Sequence, residues 1–212
     1  MLRKRSVSNS ASEERLEKLI EERLVPGADK EKIDKRIWDL FGEKWCVMFT
    51  DLSGFSRRVE TFGIIHFLQT IYEAERLLIP VIERHDGILL KVEGDSLLVI
   101  FRNVAKGISS AVEMQRILSD YNGDKPAEEQ VLLCVGLGYG DVLRIGDADV
   151  FGAEVNAASK LGEDAAKAGQ ILVTASVREA MGANGVYSFE RIEEATPGTR
   201  AAYRLVYPSS AE

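Results

Sequence analysis

The sequence has no apolar run long enough to cross a bilayer. The longest, such as Leu77 to Ile82 and Ile88 to Leu90, fall well short of the roughly 20 residues a spanning helix needs. It also lacks the apolar core of a secretory leader: the basic start Met1-Leu2-Arg3-Lys4-Arg5 runs into Ser6 to Ser12, which predicts that the chain is not exported. Cysteine is nearly absent. Cys46 and Cys134 each sit inside an apolar stretch without CxxC or CxxH spacing, so neither a disulfide framework nor a zinc site is expected, and both read as reduced core thiols of a cytoplasmic protein. Positive charge is in deficit, with Lys+Arg 27 against Asp+Glu 34 and a net charge of -7, so a phosphate backbone would be repelled and nucleic acid is not an expected partner. The two histidines, His66 and His85, lack the spacing of a metal site or a nucleophile-base pair. Ser53 and Ser56 have no matching base, so hydrolase chemistry through a serine nucleophile has no support.

What is present is ordinary globular material. The 212 residues are 45% hydrophobic and 29% charged, enough for one domain with an appendage. Residues 1–10 are basic and serine-rich and read as a disordered tail. Residues 11–43 read as a helical linker or regulatory segment of two short helices. The first has a capping box of Ser10 with Glu13, an apolar stripe of Leu16, Leu19, Ile20 and Leu24, and a stop at Pro26-Gly27. The second is predicted over Lys30 to Phe41, capped by Asp29, with Ile33, Ile37, Leu40 and Phe41 on one face. Their narrow stripes suit a lid, a signalling linker or a small coiled-coil-like contact, and equally suit packing onto their own domain.

The main domain, 44–208, opens with Trp45 to Thr50, a continuous apolar run that reads as a buried strand ending at Asp51. Ile64, Phe67, Leu68, Ile71, Leu78 and Ile82 then recur at helical spacing, with Pro80 as a kink. Ile88 to Val92 and Ser96 to Phe101, joined by Glu93-Gly94-Asp95, form a tight hairpin with an acidic tip. A helix from Val104 to Tyr121, ended by Asn122-Gly123, leads through a polar loop to strands at Val131 to Tyr139 and Asp141 to Ile145. A short alanine-rich helix over Gly152 to Leu161, strands at Ile171 to Thr174, Tyr187 to Ile192 and Ala201 to Val206, and a helix near Val177 to Met181 complete an α+β or α/β sandwich of helices packed on a sheet.

Asp51 at the end of a buried strand and Asp95 in a hairpin turn would face one crevice if the hairpin and the strand are neighbours. Two carboxylates there suit Mg²⁺, which takes one or two protein carboxylates and fills its other positions with water and phosphate. Taken singly, Asp51 could cap a turn and Asp95 could be a turn residue. Phe49-Thr50-Asp51-Leu52-Ser53-Gly54-Phe55-Ser56, Lys91-Val92-Glu93-Gly94-Asp95, and Asp149-Val150-Phe151-Gly152 running into Val155-Asn156-Ala157-Ala158-Ser159-Lys160-Leu161 together resemble the class III adenylate/guanylate cyclase catalytic domain, in motif, order and interval. The resemblance covers roughly Trp45 to Val206. It implies a ferredoxin-like βαββαβ core acting as a head-to-tail homodimer, with metals from one chain and transition-state groups from the other.

Carried over residue by residue, the resemblance implies that Asp51 and Asp95, with the Leu52 carbonyl, hold two Mg²⁺ or Mn²⁺ ions, and that the backbone at Ser53, Gly54 and Phe55 borders the phosphates. Lys91 and Asp149 match the base-reading pair, a lysine donor and carboxylate acceptor that suit adenine, so ATP is the implied substrate and cyclic AMP with pyrophosphate the products; the alternatives are a cyclase for GTP or a pyrimidine nucleotide, and a weakly active or inactive nucleotide-binding and dimerisation module. Read alone, Lys91 could be a solvated strand lysine and Asp149 a helix-start cap. Asn156 and Lys160 match the transition-state pair. Lys160 departs from the usual arginine, which keeps the charge but loses the planar fork. The lysine of the family's C-terminal hairpin is also missing, and Arg200 is the nearest cation for the β- and γ-phosphates. Glu93 is expected to point away from Lys91 and Asp95, into solvent. The N-terminal helices could pass a signal from an upstream regulator by changing how two protomers meet.

Overall fold

The computed structural model describes residues 11–54, 60–182, 186–192 and 201–208. Phe55 and Arg200, the capping residue Ser10, residues 1–10 and the segment 194–200 lie outside the described residues. The first element, α1 (Ala11–Leu24), is followed by α2 (Lys30–Phe41), whose first turn is closed by Asp29 accepting from Lys32 N at 3.1 Å. The two helices pack on their own domain. Leu19, Ile33, Ile37 and Phe41 form one apolar cluster with Ile145, and the ion pairs Arg23–Asp34 (2.5 Å) and Arg36–Glu22 (2.6 Å) tie the helices to each other. Leu24 and Leu40, predicted on the apolar stripes, are exposed.

Strand β1 (Gly42–Leu52) leaves α2 directly. Helix α3 (Ile64–Arg84) runs through Pro80 and buries Phe67, Thr70, Ala74, Leu78, Val81 and Ile82. Ile64 and Leu68, expected on that face, are more than half exposed, because the sheet lies under the later turns of the helix. The hairpin β2 (Ile88–Glu93) and β3 (Ser96–Phe101) turns at Gly94, whose φ of +62° favours glycine. Helix α4 (Val104–Asn122) begins at Asn103, which accepts from Ala105 N at 2.8 Å. The loop after it contains a single 3₁₀ turn, Ala127–Glu129.

Strand β4 is one continuous element, Leu133–Ile145, where the sequence predicts two. β1 pairs with it on both sides of Gly140-Asp141, in register from Gly42↔Leu143 to Leu52↔Leu133, so those two residues have no opportunity to break it. The short strand β5 (Asp149–Phe151) folds back on β4. Then come α5 (Ala153–Ser159), a π-turn (Lys160–Ala165), β6 (Ile171–Thr174), α6 (Ala175–Met181), β7 (Ser188–Ile192) and β8 (Ala202–Val206). The strand order is β2-β3-β1-β4-β6-β8-β7. Its first four strands, all antiparallel, have the order of a ferredoxin-like βαββαβ core.

The period of two along each strand divides the sheet into two faces. Cys46, Met48, Leu97, Val99, Leu133, Val135 and Leu137 meet α3 and α4. Trp45, Val47, Leu98, Ile100 and Val142 meet Val155 and Ala158 of α5 on the other face. Asp51 shares the parity of Trp45 and Val47 and belongs to this second face. There β4 presents Gly136, Gly138 and Gly140 in alternation, and α5 lies directly on its backbone. A Cβ at Gly136 would be 2.1 Å from Ala158 O, and one at Gly138 would be 2.3 Å from Glu154 O. Glu154 anchors the helix, accepting from Tyr139 N, Thr174 Oγ1 and Ser176 Oγ at 3.1, 2.7 and 3.1 Å. No helix among the described residues is long and apolar enough to cross a membrane.

Candidate active site

Two carboxylates end up beside each other because β1 and β3 are neighbours: Thr50 pairs with Leu97, which brings Asp51 to the Gly94-Asp95 turn. Ser96 Oγ donates to Asp51 Oδ1 at 3.4 Å. Burial, the Asp95 charge and the Glu163 charge push the Asp51 carboxyl up to about 6, and burial raises Asp95 as well. Oδ2 of Asp95 is buried and has no hydrogen-bond partner, and among the described residues no lysine, arginine or histidine pairs with either aspartate. Half-buried oxygen donors with an orphaned lone pair and no cationic side chain fit a hard divalent ion such as Mg²⁺ or Mn²⁺. The Cys134 thiol, opposite Asp51 across β4, is pushed up to about 11 by burial and by the Asp51 charge, so it stays protonated and offers no thiolate.

This electrostatic strain has a measurable sign. Because the folded-state value of Asp51 lies above its unfolded value, the folded chain holds the proton more tightly, and stability without metal falls as pH rises from about 4 to about 6. After allowance for solvent screening of a half-buried group the loss is about 1–2 kcal/mol. The difference in thermal stability between the wild type and Asp51→Asn in EDTA is expected to show this decline, and Mg²⁺ to remove it at neutral pH. A difference that does not change between about pH 4 and about pH 6 would contradict it.

Lys91 reaches the same face by an irregularity. Leu89 pairs with Val99 and Lys91 with Leu98, so Leu90 is the extra residue of a β-bulge. Without it, Lys91 would lie opposite Leu97 and point toward α3 and α4. With it, Lys91 Nζ donates to Asp149 Oδ2 at 2.5 Å, while Asp149 Oδ1 accepts from Val150 N at 2.8 Å. The pair lines a cavity of about 120 Å³ with Phe49, Glu93, Ser96 and Glu163. Glu93 is exposed as expected, yet it does not point away from Lys91. Residues two apart share a strand face, and Glu93 Oε1 lies 3.8 Å from Lys91 Nζ.

Asn156 and Lys160 are both exposed and line a second cavity, of about 410 Å³, with Thr174 and Ser176. The predicted helix over Gly152 to Leu161 ends at Ser159, and the chain continues in a π-turn in which Ala166 N donates to Leu161 O at 2.9 Å. The cause is Gly162, whose Cβ position is 2.8 Å from Phe49 O: the chain is pressed onto the sheet there. The two cavities lie on either side of α5 and share no residue. One chain therefore brings together Asp51 with Asp95, Lys91 with Asp149, and Asn156 with Lys160, but holds the last pair apart from the other two.

Ser53 N donates to Leu132 O at 2.8 Å, and Gly54 turns the chain with a φ of +83°. His66 contacts the Glu128 carbonyl at 2.8 Å and His85 the Glu113 carboxylate at 2.6 Å, outside both cavities. Sequence reasoning missed Glu163 and Ser96. Ser159 Oγ donates to Glu163 Oε2 at 2.5 Å, a contact that the spacing of four residues could have signalled.

The sequence model described as the adenylate and guanylate cyclase catalytic domain matches residues 42–202, and the chain belongs to that family of nucleotidyl cyclase domains. It is 31% identical over 131 residues to the serine/threonine-protein kinase pkn2 of Myxococcus xanthus, covering 62% of this chain and 16% of that protein. It is 27% identical over 134 residues to the putative adenylate cyclase 3 of Rhizobium meliloti (strain 1021), covering 63% of this chain and 22% of that protein. The chain thus matches only a fifth or so of the length of these relatives. Among solved structures, the adenylate/guanylate cyclase/hydrolase from Silicibacter pomeroyi has the same fold, with a TM-score of 0.66 at 24% identity over 80% of this chain and 99% of that one.

Proposed function

We propose that the chain is an adenylate cyclase domain that converts ATP to 3′,5′-cyclic AMP and pyrophosphate at sites shared between two copies of itself. The observation that carries the choice of base is the Lys91–Asp149 pair. Adenine presents a ring-nitrogen acceptor and an amine donor side by side, and Lys91 Nζ and Asp149 Oδ2 present a donor and an acceptor in contact. Guanine has the reverse polarity on that edge and would meet like with like.

In this reading Asp51 and Asp95, with the Leu52 carbonyl, would hold two Mg²⁺ or Mn²⁺ ions. The ions would supply Lewis-acid charge at the triphosphate and lower the cost of deprotonating the 3′-hydroxyl. The backbone of Ser53 and Gly54 borders the phosphates, and Asn156 from the second copy orients the ribose. The 3′-oxygen forms its bond to the α-phosphorus as the bond to the β-phosphate bridging oxygen breaks, the 3′-proton leaves to solvent, and Lys160 offsets charge gathering on the phosphoryl oxygens. The separation of the two cavities within one chain supports the shared site, since the groups of one reaction are completed by a partner. Residues 44–208 serve as the catalytic unit and 11–43 as the segment through which a regulator could act.

The test is a product assay with ATP, GTP, CTP and UTP in Mg²⁺ and in Mn²⁺. Cyclic AMP as the main product is the expected result, and a different cyclic nucleotide would overturn the base assignment. Lys160 favours a second reading, a nucleotide-binding dimerisation module with little turnover, because an ammonium cannot bridge two phosphate oxygens as a guanidinium does. Lys160→Arg is expected to raise kcat about tenfold with little change in KM, the scale of one added charge-assisted hydrogen bond in the transition state. Tight ATP binding with no product from either form would favour the module.

A further inference from the structure

Glu163 lies on the face of the sheet that carries Lys91 and Asp149. It lines the cavity of Lys91 and Asp149, its carboxylate is held by the Ser159 hydroxyl at 2.5 Å, and its charge is felt at Asp51. Ser96 belongs to the same cavity wall and donates to Asp51, so the cavity and the carboxylate pair are continuous through these residues. Among the described residues no three carboxylate, thiol or imidazole side chains stand close enough to hold one ion directly. Glu163 is therefore too far from the pair to be a third direct ligand, yet near enough to act electrostatically.

We propose that Glu163 is a positioning residue of the divalent-cation site, acting from outside the direct ligands by accepting from the ion's bound water and adding a negative charge that raises cation affinity at Asp51 and Asp95. The physical basis is that Mg²⁺ and Mn²⁺ in such sites keep several water molecules, whose hydrogens need acceptors. The π-turn matters here. It carries Glu163 past the end of α5 to the cavity wall, and Ser159 on the last turn of the helix fixes the carboxylate there. The inference rests on reading Asp51 and Asp95 as the cation site, and the two can fail separately.

The experiment is Mn²⁺ binding to the full chain without nucleotide, followed by titration calorimetry and by the loss of the free-ion electron paramagnetic resonance signal. Glu163→Gln is expected to weaken Mn²⁺ about tenfold at 0.1 M salt, the scale of one unit charge acting on a divalent ion through a partly solvated medium. The difference should shrink toward unity at about 1 M salt, where the Debye length falls to about 3 Å. Glu163→Asp, which keeps the charge, should retain most of the affinity, and Ser159→Ala should weaken it about two- to threefold, as expected for loss of one hydrogen bond to a charged group in solvent. Unchanged Mn²⁺ affinity in Glu163→Gln, or a loss in Glu163→Asp equal to that in Glu163→Gln, overturns the proposal. Asp51→Asn separates it from the reading beneath: if that variant binds Mn²⁺ as the wild type does, or if the wild type binds none, the cation site itself is wrong.

Discussion

Replacing Asp51 or Asp95 by asparagine is expected to abolish cyclic nucleotide formation, by about a thousandfold or more, because each variant removes a charge that several kcal/mol of metal-ion catalysis depend on. The same substitutions should leave the fold intact and, without metal, Asp51→Asn should melt higher than the wild type at pH 7. Burial and the Asp95 charge already disfavour the ionised form of Asp51, and the neutral amide relieves both costs. Activity and stability moving in opposite directions is the signature of a site that keeps like charges together for function. A product assay and a melting curve on the same samples check both halves. Full activity in either variant would remove the two-carboxylate reading, and a large drop in melting temperature would show that the aspartates serve the fold.

The second large effect is expected at a residue with no side chain at all. At Gly136 an added methyl would lie 2.1 Å from Ala158 O and 2.4 Å from Gly162 N, both backbone atoms that no rotamer change can move aside. Gly136→Ala is expected to cost about 2–3 kcal/mol by overpacking and to lower the melting temperature by about 5–10 °C. Relief can come only by lifting α5 and the π-turn from the sheet, and these carry Asn156, Lys160 and Glu163. Activity should therefore fall even at temperatures where the variant is folded. An unchanged melting point would mean that α5 does not sit on the strand as closely as described.

The N-terminal pair of helices shows where local pattern ran out. Their positions were legible to the residue at α2, from the Asp29 cap to Phe41, because capping and amphipathic spacing are local properties. Whether their stripes faced a partner or their own domain was not legible. The cluster of Leu19, Ile33, Ile37 and Phe41 with Ile145 answers it for these residues, since Ile145 lies more than a hundred positions away at the far end of β4. The continuous β4 makes the same point. Gly140-Asp141 looks like a break locally, and pairing with β1 on both sides of it overrides that.

By itself the sequence determined the alternation of strands and helices, the hairpin turn at Gly94, and the three motifs holding Asp51, Asp95, Lys91, Asp149, Asn156 and Lys160. Each of these depends on neighbours within a few positions: apolar period, turn chemistry, and fixed spacing. Only the tertiary structure decided which face those residues share. The bulge at Leu90 turns Lys91 toward Asp149, the alternating glycines of β4 bring α5 down onto the sheet, and the π-turn delivers Glu163 to the wall of the cavity lined by Lys91 and Asp149. The physical reason is that a strand's side-chain direction reverses with a one-residue shift in register, and register is set by pairing with distant strands. Close helix-sheet approach is likewise set by what is missing from both surfaces at once, which no local run of residues records.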